Sequence, residues 1–171
     1  QRQMCIRDRK DEGAMVQSPA VAILIQHPTL GNILYDTGNC EDFSAVYTEE
    51  MLHDYPITEM ISIQEALAQK GLTPDDIDLI ILSHLHFDHA GGLKHFVGTK
   101  AIRRVLVSEA DLKNAYWSVM TGNGGAYIRS LFDVEGIQFQ TIRETTKLAE
   151  DLELFIQASH TPGVIGLSLI H

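Results

Sequence analysis

The segment that most limits what this chain can become is the junction at residues 77–92. An apolar run, Ile77-Asp78-Leu79-Ile80-Ile81-Leu82, passes without a break into Ser83-His84-Leu85-His86-Phe87-Asp88-His89-Ala90-Gly91-Gly92. A short, nearly continuous Ile/Leu run reads as a strand buried on both faces, the kind found in parallel sheets covered by helices. Polar groups at the carboxyl end of such a strand lie where open α/β folds place their chemistry. The fold class that follows is α/β (α+β).

Three histidines and one carboxylate within six positions form a metal-ligand pattern. In an extended segment alternate side chains share a face, so His84 and His86 present two imidazoles to one cation. Asp88 and His89 come after a bend and are placed to face a second cation. Gly91 and Gly92 let the backbone turn sharply and approach the site with no Cβ in the way. Imidazole with a minority of carboxylate suits Zn²⁺, with Fe, Mn or Co as alternatives, better than Ca²⁺ or Mg²⁺, which want oxygen throughout. A solvated histidine tract or an expression remnant is the competing reading, and the buried strand that delivers the cluster argues against it.

The pattern His-x-His-x-Asp-His resembles the signature of the metallo-β-lactamase superfamily of dinuclear metallohydrolases. Two further segments match. Tyr35-Asp36-Thr37-Gly38 looks like the family's early Asp-x-Gly turn, whose carboxylate, here Asp36, would brace the metal ligands from behind. His160, in Ser159-His160-Thr161-Pro162-Gly163, matches the family's next metal-ligating histidine. Within the superfamily the likeness is closest to N-acyl homoserine lactonases, carried by residues 83–92, the approach 72–77 and the long segment 39–59. Relatives acting on other esters and thioesters share these features.

The resemblance implies the N-terminal half of a four-layer αβ/βα sandwich and two zinc ions per intact enzyme. His84, His86 and His160 would hold one ion; Asp88 and His89 would contribute to the other. It implies a hydrolase in which metal-bound hydroxide attacks a lactone carbonyl, opening N-acyl homoserine lactones as in quorum quenching. Asp88 is the candidate catalytic residue, holding the second metal and moving a proton to the leaving alkoxide. No residue is assigned to substrate binding. The alternatives are a glyoxalase II-like thioesterase or another hydrolase of the fold, and an inactive fragment that binds one metal or none.

The family pattern also calls for a bridging aspartate and one more histidine beyond Gly163. His171 is not taken as a substitute, since it lies only eleven residues past His160. Both ends look foreign: residues 1–9 show neither helical nor alternating periodicity, and residues 167–171 depart from the family course. Residues 1–15 and 164–171 are therefore expected to be non-native tails of a gene fragment, genuine termini being the other reading, with 16–163 as an incomplete domain. A half sandwich leaves one sheet edge and face without cover, so the chain alone is expected to be poorly soluble or only partly folded.

Net charge is −10, and removing residues 1–9, with three arginines and one aspartate, leaves −12 on the remainder. No Lys/Arg run is longer than Arg103-Arg104, which argues against nucleic acid as partner and for a small-molecule ester or lactone. A homodimer stays open. No apolar stretch reaches the ~18 residues of a membrane span. Cys5 and Cys40 make no disulfide framework, which fits a reducing cytoplasm.

Hydrophobic periodicity predicts strands at 20–26 and 32–36 joined by the turn 28–31, then a helix from Ile63 with a Ser62/Glu65 capping box. It also predicts a short helix from Ala90, a strand at 101–107, a helix over 109–119 started by Ser108 and Asp111, and strands at 137–142 and 152–157. His95 reads as a helix surface residue, His27 and His53 as exposed. Tyr116, Trp117 and Tyr127 read as core or interface, an acyl pocket being the alternative.

Overall fold

A computed structural model describes residues 18–169; the expected tail at 1–15, Cys5 and His171 lie outside the described residues. The chain starts with β1 (Ile23–His27) and β2 (Gly31–Tyr35), an antiparallel hairpin. Three helices follow, α1 (Phe43–Val46), α2 (Glu49–Asp54) and α3 (Ile63–Ala68). The start of α3 is set by the predicted capping box: Ser62 Oγ accepts from Glu65 N, and Glu65 Oε2 accepts from Ser62 N. Then come β3 (Leu79–Ile81), α4 (Phe87–Ala90), β4 (Val105–Ser108), α5 (Glu109–Met120) and α6 (Arg129–Phe132). The chain continues through β5 (Phe139–Ile142), β6 (Thr146–Ala149), β7 (Leu152–Gln157) and β8 (Val164–Leu169).

These strands make two sheets. One has the order β1-β2-β3-β4-β5, parallel from β2 to β5; the other is the antiparallel set β6-β7-β8. Alternation along the central strands feeds two cores. Ile33, Leu79, Ile81 and Leu106 meet Leu152, Leu154 and Ile165 of the second sheet. Leu34, Ile80, Leu82, Val105 and Val107 face the helices, including Ile63, Leu67 and Ala115. This two-sided burial explains why residues 79–82 carry no polar side chain, each fully buried Ile or Leu contributing about 1.5–3 kcal/mol. It also leaves the carboxyl ends of β2, β3 and β4 side by side, delivering Asp36, Ser83–His84 and Ser108 to one rim.

Several expectations shift. The segment 101–103 is a 3₁₀ turn and β4 begins only at Val105. The helix expected from Ala90 begins at Phe87, so Asp88 and His89 sit within its turn. Residues 164–169, within the stretch expected to be a foreign tail, form β8: they pair with β7 over six residues, Ile165 is buried, and Ile165 N donates to Ser83 O at 2.8 Å. Apolar residues at 165, 167 and 169 alternate as a half-buried strand requires, and the Phe155 ring covers Gly166 across the pair. His27 is buried rather than exposed; its Nδ1 accepts from Leu30 N at 3.0 Å and its Nε2 meets Asp151 Oδ1 at 2.9 Å. His53 is exposed as expected. No helix among the described residues is long and apolar enough to cross a membrane.

Candidate metal centre

The rim gathers histidines from two distant places. His84 and His86 arrive on the segment between β3 and α4, and His160 on the turn between β7 and β8. One ring nitrogen from each lies within 4.8 Å of the other two. His86 Nδ1 and His160 Nε2 stand 3.0 Å apart, and the His84 ring is edge-on to both. Asp88 and His89, carried by α4, make a second group with His84, one ligand atom from each again within 4.8 Å of the others, and His89 Nε2 lies 3.4 Å from Asp88 Oδ2.

Asp36 organises this from below. Its backbone sits at φ 61, a conformation an Asp adopts more readily than most residues, and its carboxylate is buried. Oδ1 accepts from Ser83 N at 2.7 Å; Oδ2 accepts from Ser83 Oγ and His89 Nδ1, both at 2.8 Å. Because His89 Nδ1–H donates to Asp36, His89 turns Nε2 toward Asp88. Ser83 Oγ gives its proton to Asp36, so at 3.0 Å it is left to accept from His84 Nδ1, which turns His84 Nε2 into the site. Such bonds on the far nitrogen are how metal-binding histidines are held in one tautomer.

The test of whether a cation fits is His84 Nε2. It is buried and finds no hydrogen-bond partner among the described residues, a costly state for a polar atom unless a ligand completes it. Protonation points the same way. Burial first, then the neighbouring histidines, pushes the His84 imidazole down to about 2 and His86 to about 4, leaving both neutral, the form that binds metals. At His89 burial is overridden by the hydrogen bonds and charges of Asp36 and Asp88, and its pKa rises to about 10. Asp88 is held below the usual carboxylate range: burial works against its charge, and the His89 hydrogen bond and charge outweigh burial.

The glycine pair works through close approach. Gly91 and Gly92 both have negative φ, yet a Cβ on Gly91 would lie 2.3 Å from Cys40 N and one on Gly92 2.5 Å from Thr37 O. The motif helix is thereby pressed onto the turn after Asp36. A cavity of about 330 Å³ opens beside His84, His89 and His160, walled by Val21, Ile23, Tyr35 and Val164.

Two residues beside the site carry no motif signal. Asp111, legible only as a capping partner of Ser108, places its buried carboxylate behind the 84–86 segment. Tyr127 sets its ring edge against His86, with centroids 4.5 Å apart. Trp117 is exposed, and His95, in a 3₁₀ turn, has little exposed ring and pairs with Glu41.

The metallo-beta-lactamase superfamily model matches residues 16–171. An N-acyl homoserine lactonase of Bacillus cereus is 27% identical over 173 residues, 93% of this chain and 64% of the relative. The N-acyl homoserine lactonase AiiB of Agrobacterium fabrum (strain C58) is 36% identical over 93 residues, 52% of this chain and 33% of the relative. Among solved structures, an N-acyl homoserine lactone hydrolase with the product N-hexanoyl-L-homoserine bound at its catalytic metal center superposes with TM-score 0.67 at 28% identity, covering 86% of this chain and 57% of that one. A Bacillus thuringiensis AiiA variant with N-decanoyl-L-homoserine at its active site gives TM-score 0.67 at 27% identity, with the same coverage. The chain thus spans between one third and about two thirds of the length of these relatives. With nearly its whole length matched by the family model and its fold shared with lactonases, this chain belongs to the metallo-β-lactamase superfamily of metal-dependent hydrolases.

Proposed function

We propose that this chain comes from a zinc-dependent hydrolase that opens the ring of N-acyl homoserine lactones. The observation that carries the reading is the convergence of His84, His86 and His160 around the unpartnered, buried His84 Nε2. Support for the substrate class comes from relatives named as lactonases over most of the chain's length. His84, His86 and His160 would hold one cation as a three-imidazole set, and Asp88 with His89 would contribute to a second. When bound, such cations lower the pKa of water from 15.7 to about 7 and draw charge from a carbonyl oxygen.

The chain's own groups do the rest. The Asp36 and Ser83 pair keeps the ring nitrogens of His84 and His89 aimed inward. Asp88 stays ionised, so its Oδ2 can take the proton released when water adds to the lactone carbonyl and return it to the ring oxygen as the acyl C–O bond breaks. The reading extends to a cytoplasmic enzyme, which the absence of a disulfide framework in the sequence supports. The test is acid release from N-hexanoyl homoserine lactone and from a glutathione thioester by the full chain loaded with Zn²⁺. Lactone opening that is lost in His160→Ala is the expected result. Thioester turnover with the lactone untouched would reverse the substrate assignment, and tight metal binding with neither activity would mark a binding remnant.

A further inference from the structure

The two halves of the three-histidine group are brought by segments 74 residues apart in sequence, so something must fix their spacing. One buried carboxylate stands between the pieces. Asp111, in the first turn of α5, is fully buried. Its Oδ2 accepts from Leu85 N at 2.8 Å, the peptide between His84 and His86. Its Oδ1 accepts from Tyr127 OH at 2.7 Å, and the Tyr127 ring packs on His86. The Thr161 side chain, next in sequence to His160, lies beside this carboxyl and favours its charged form.

The direction of the chain of bonds is fixed. Asn114 Nδ2 can only donate, so Tyr127 OH accepts from it at 3.1 Å and donates onward to Asp111. The turn after His160 is seated on the same helix end. Ser108 Oγ donates to Gly163 O at 2.6 Å, and a Cβ on Gly163 would come within 2.2 Å of that oxygen. These contacts leave the 159–163 turn and the 84–86 segment little freedom to move apart.

We infer that Asp111 is a positioning residue: through Leu85 and Tyr127 it fixes His84 and His86 against the turn that Ser108 holds beside His160, and so sets the affinity of this group for a cation. The inference rests on the metal-site reading above but assigns a role that no ligand motif announces. Asparagine at 111 has the same shape but a single acceptor oxygen, so either Leu85 N–H or Tyr127 O–H must face an amide N–H. Residues that orient metal ligands typically change metal affinity 10–100-fold when altered.

The experiment is Co²⁺ and Zn²⁺ titration of the full chain against a chromogenic chelator, with the Co²⁺ visible spectrum as a reporter of ligand geometry. Asp111→Asn should weaken binding about 10–100-fold and alter the Co²⁺ bands. Tyr127→Phe, which keeps the ring on His86 but removes one hydrogen bond to a charged group, should weaken it about tenfold. Lys113→Ala, on the exposed side of α5, should match the wild type. A folded Asp111→Asn chain of lower melting temperature but unchanged affinity and spectrum would show a merely structural role and overturn the inference. If Asp111→Asn does not fold, a folded Tyr127→Phe chain with wild-type affinity and spectrum overturns it equally. A wild-type chain that takes up neither ion overturns the metal-site reading as well, whereas normal uptake with indifferent variants overturns this inference alone.

Discussion

Replacing Asp36 by Asn isolates the bracing of the site from its ligands. Asparagine tolerates the φ of 61 at this position, so the substitution adds no backbone strain. Its carbonyl oxygen can still accept from Ser83 N, but the amide nitrogen then occupies the place of Oδ2, where both Ser83 Oγ and His89 Nδ1 donate at 2.8 Å. Ser83 can rotate its hydroxyl to accept, which removes the acceptor that now orders it toward His84. His89 can escape only by giving up its Nδ1 proton, which leaves a neutral ring protonated on Nε2, the atom 3.4 Å from Asp88 that a cation would need. At least one hydrogen bond to a buried charged group is lost, worth about 1.5–3 kcal/mol. At 1.36 kcal/mol per decade this predicts a Zn²⁺ dissociation constant about 10–100-fold weaker than wild type. A competition titration with a chromogenic chelator, on protein shown by circular dichroism to be folded, measures it. An affinity within about threefold of wild type would refute the bracing argument, since the penalty follows directly from the two donors on Oδ2.

Three further outcomes follow from the same geometry. In metal-free protein the His89 ring, its pKa raised to about 10, should keep its second proton far above the ordinary histidine range. Its contribution to stability is therefore full below about 6.5 and lost as pH rises through about 10, while His84 and His86 stay neutral down to about pH 4; imidazole nitrogen NMR checks this, and His89 titrating near 6.5 would contradict it. Gly91→Ala should cost about 3 kcal/mol, because a Cβ 2.3 Å from Cys40 N meets backbone that cannot rotate away, lowering the melting midpoint by about 6–12 °C in a thermal scan. Zn²⁺ at 100 times its dissociation constant should raise the midpoint by about 5–11 °C, from 2.7 kcal/mol of linkage, and excess chelator should reverse the shift.

Much of this protein is written locally in its sequence. The 77–82 run specifies a doubly buried strand, Ser62 with Glu65 specifies a helix start, and the six positions from His84 to His89 offer four metal-ligand side chains. Those signals depend on neighbours a few residues apart, so spacing alone reveals them. Residues 164–169 show the opposite risk: their alternation reads as a strand, yet judging them by their likeness to a foreign tail places outside the fold a strand that hydrogen-bonds Ser83.

What spacing does not reveal is whatever two distant segments share. That His27 is buried depends on the turn before β7 bringing Asp151 against it. That Gly91 and Gly92 serve packing rather than a sharp turn depends on the 37–40 segment lying against them. The role of Asp111 exists only because α5 starts where β4 ends, beside β3, and the turn after β7 folds down onto that helix end. The sequence by itself determined which candidate ligand side chains are present and the strand that presents them. Only the tertiary structure decided which nitrogen of His84 and His89 faces inward, because the Asp36 carboxylate, about fifty residues away, holds His89 directly and turns the Ser83 hydroxyl that meets His84.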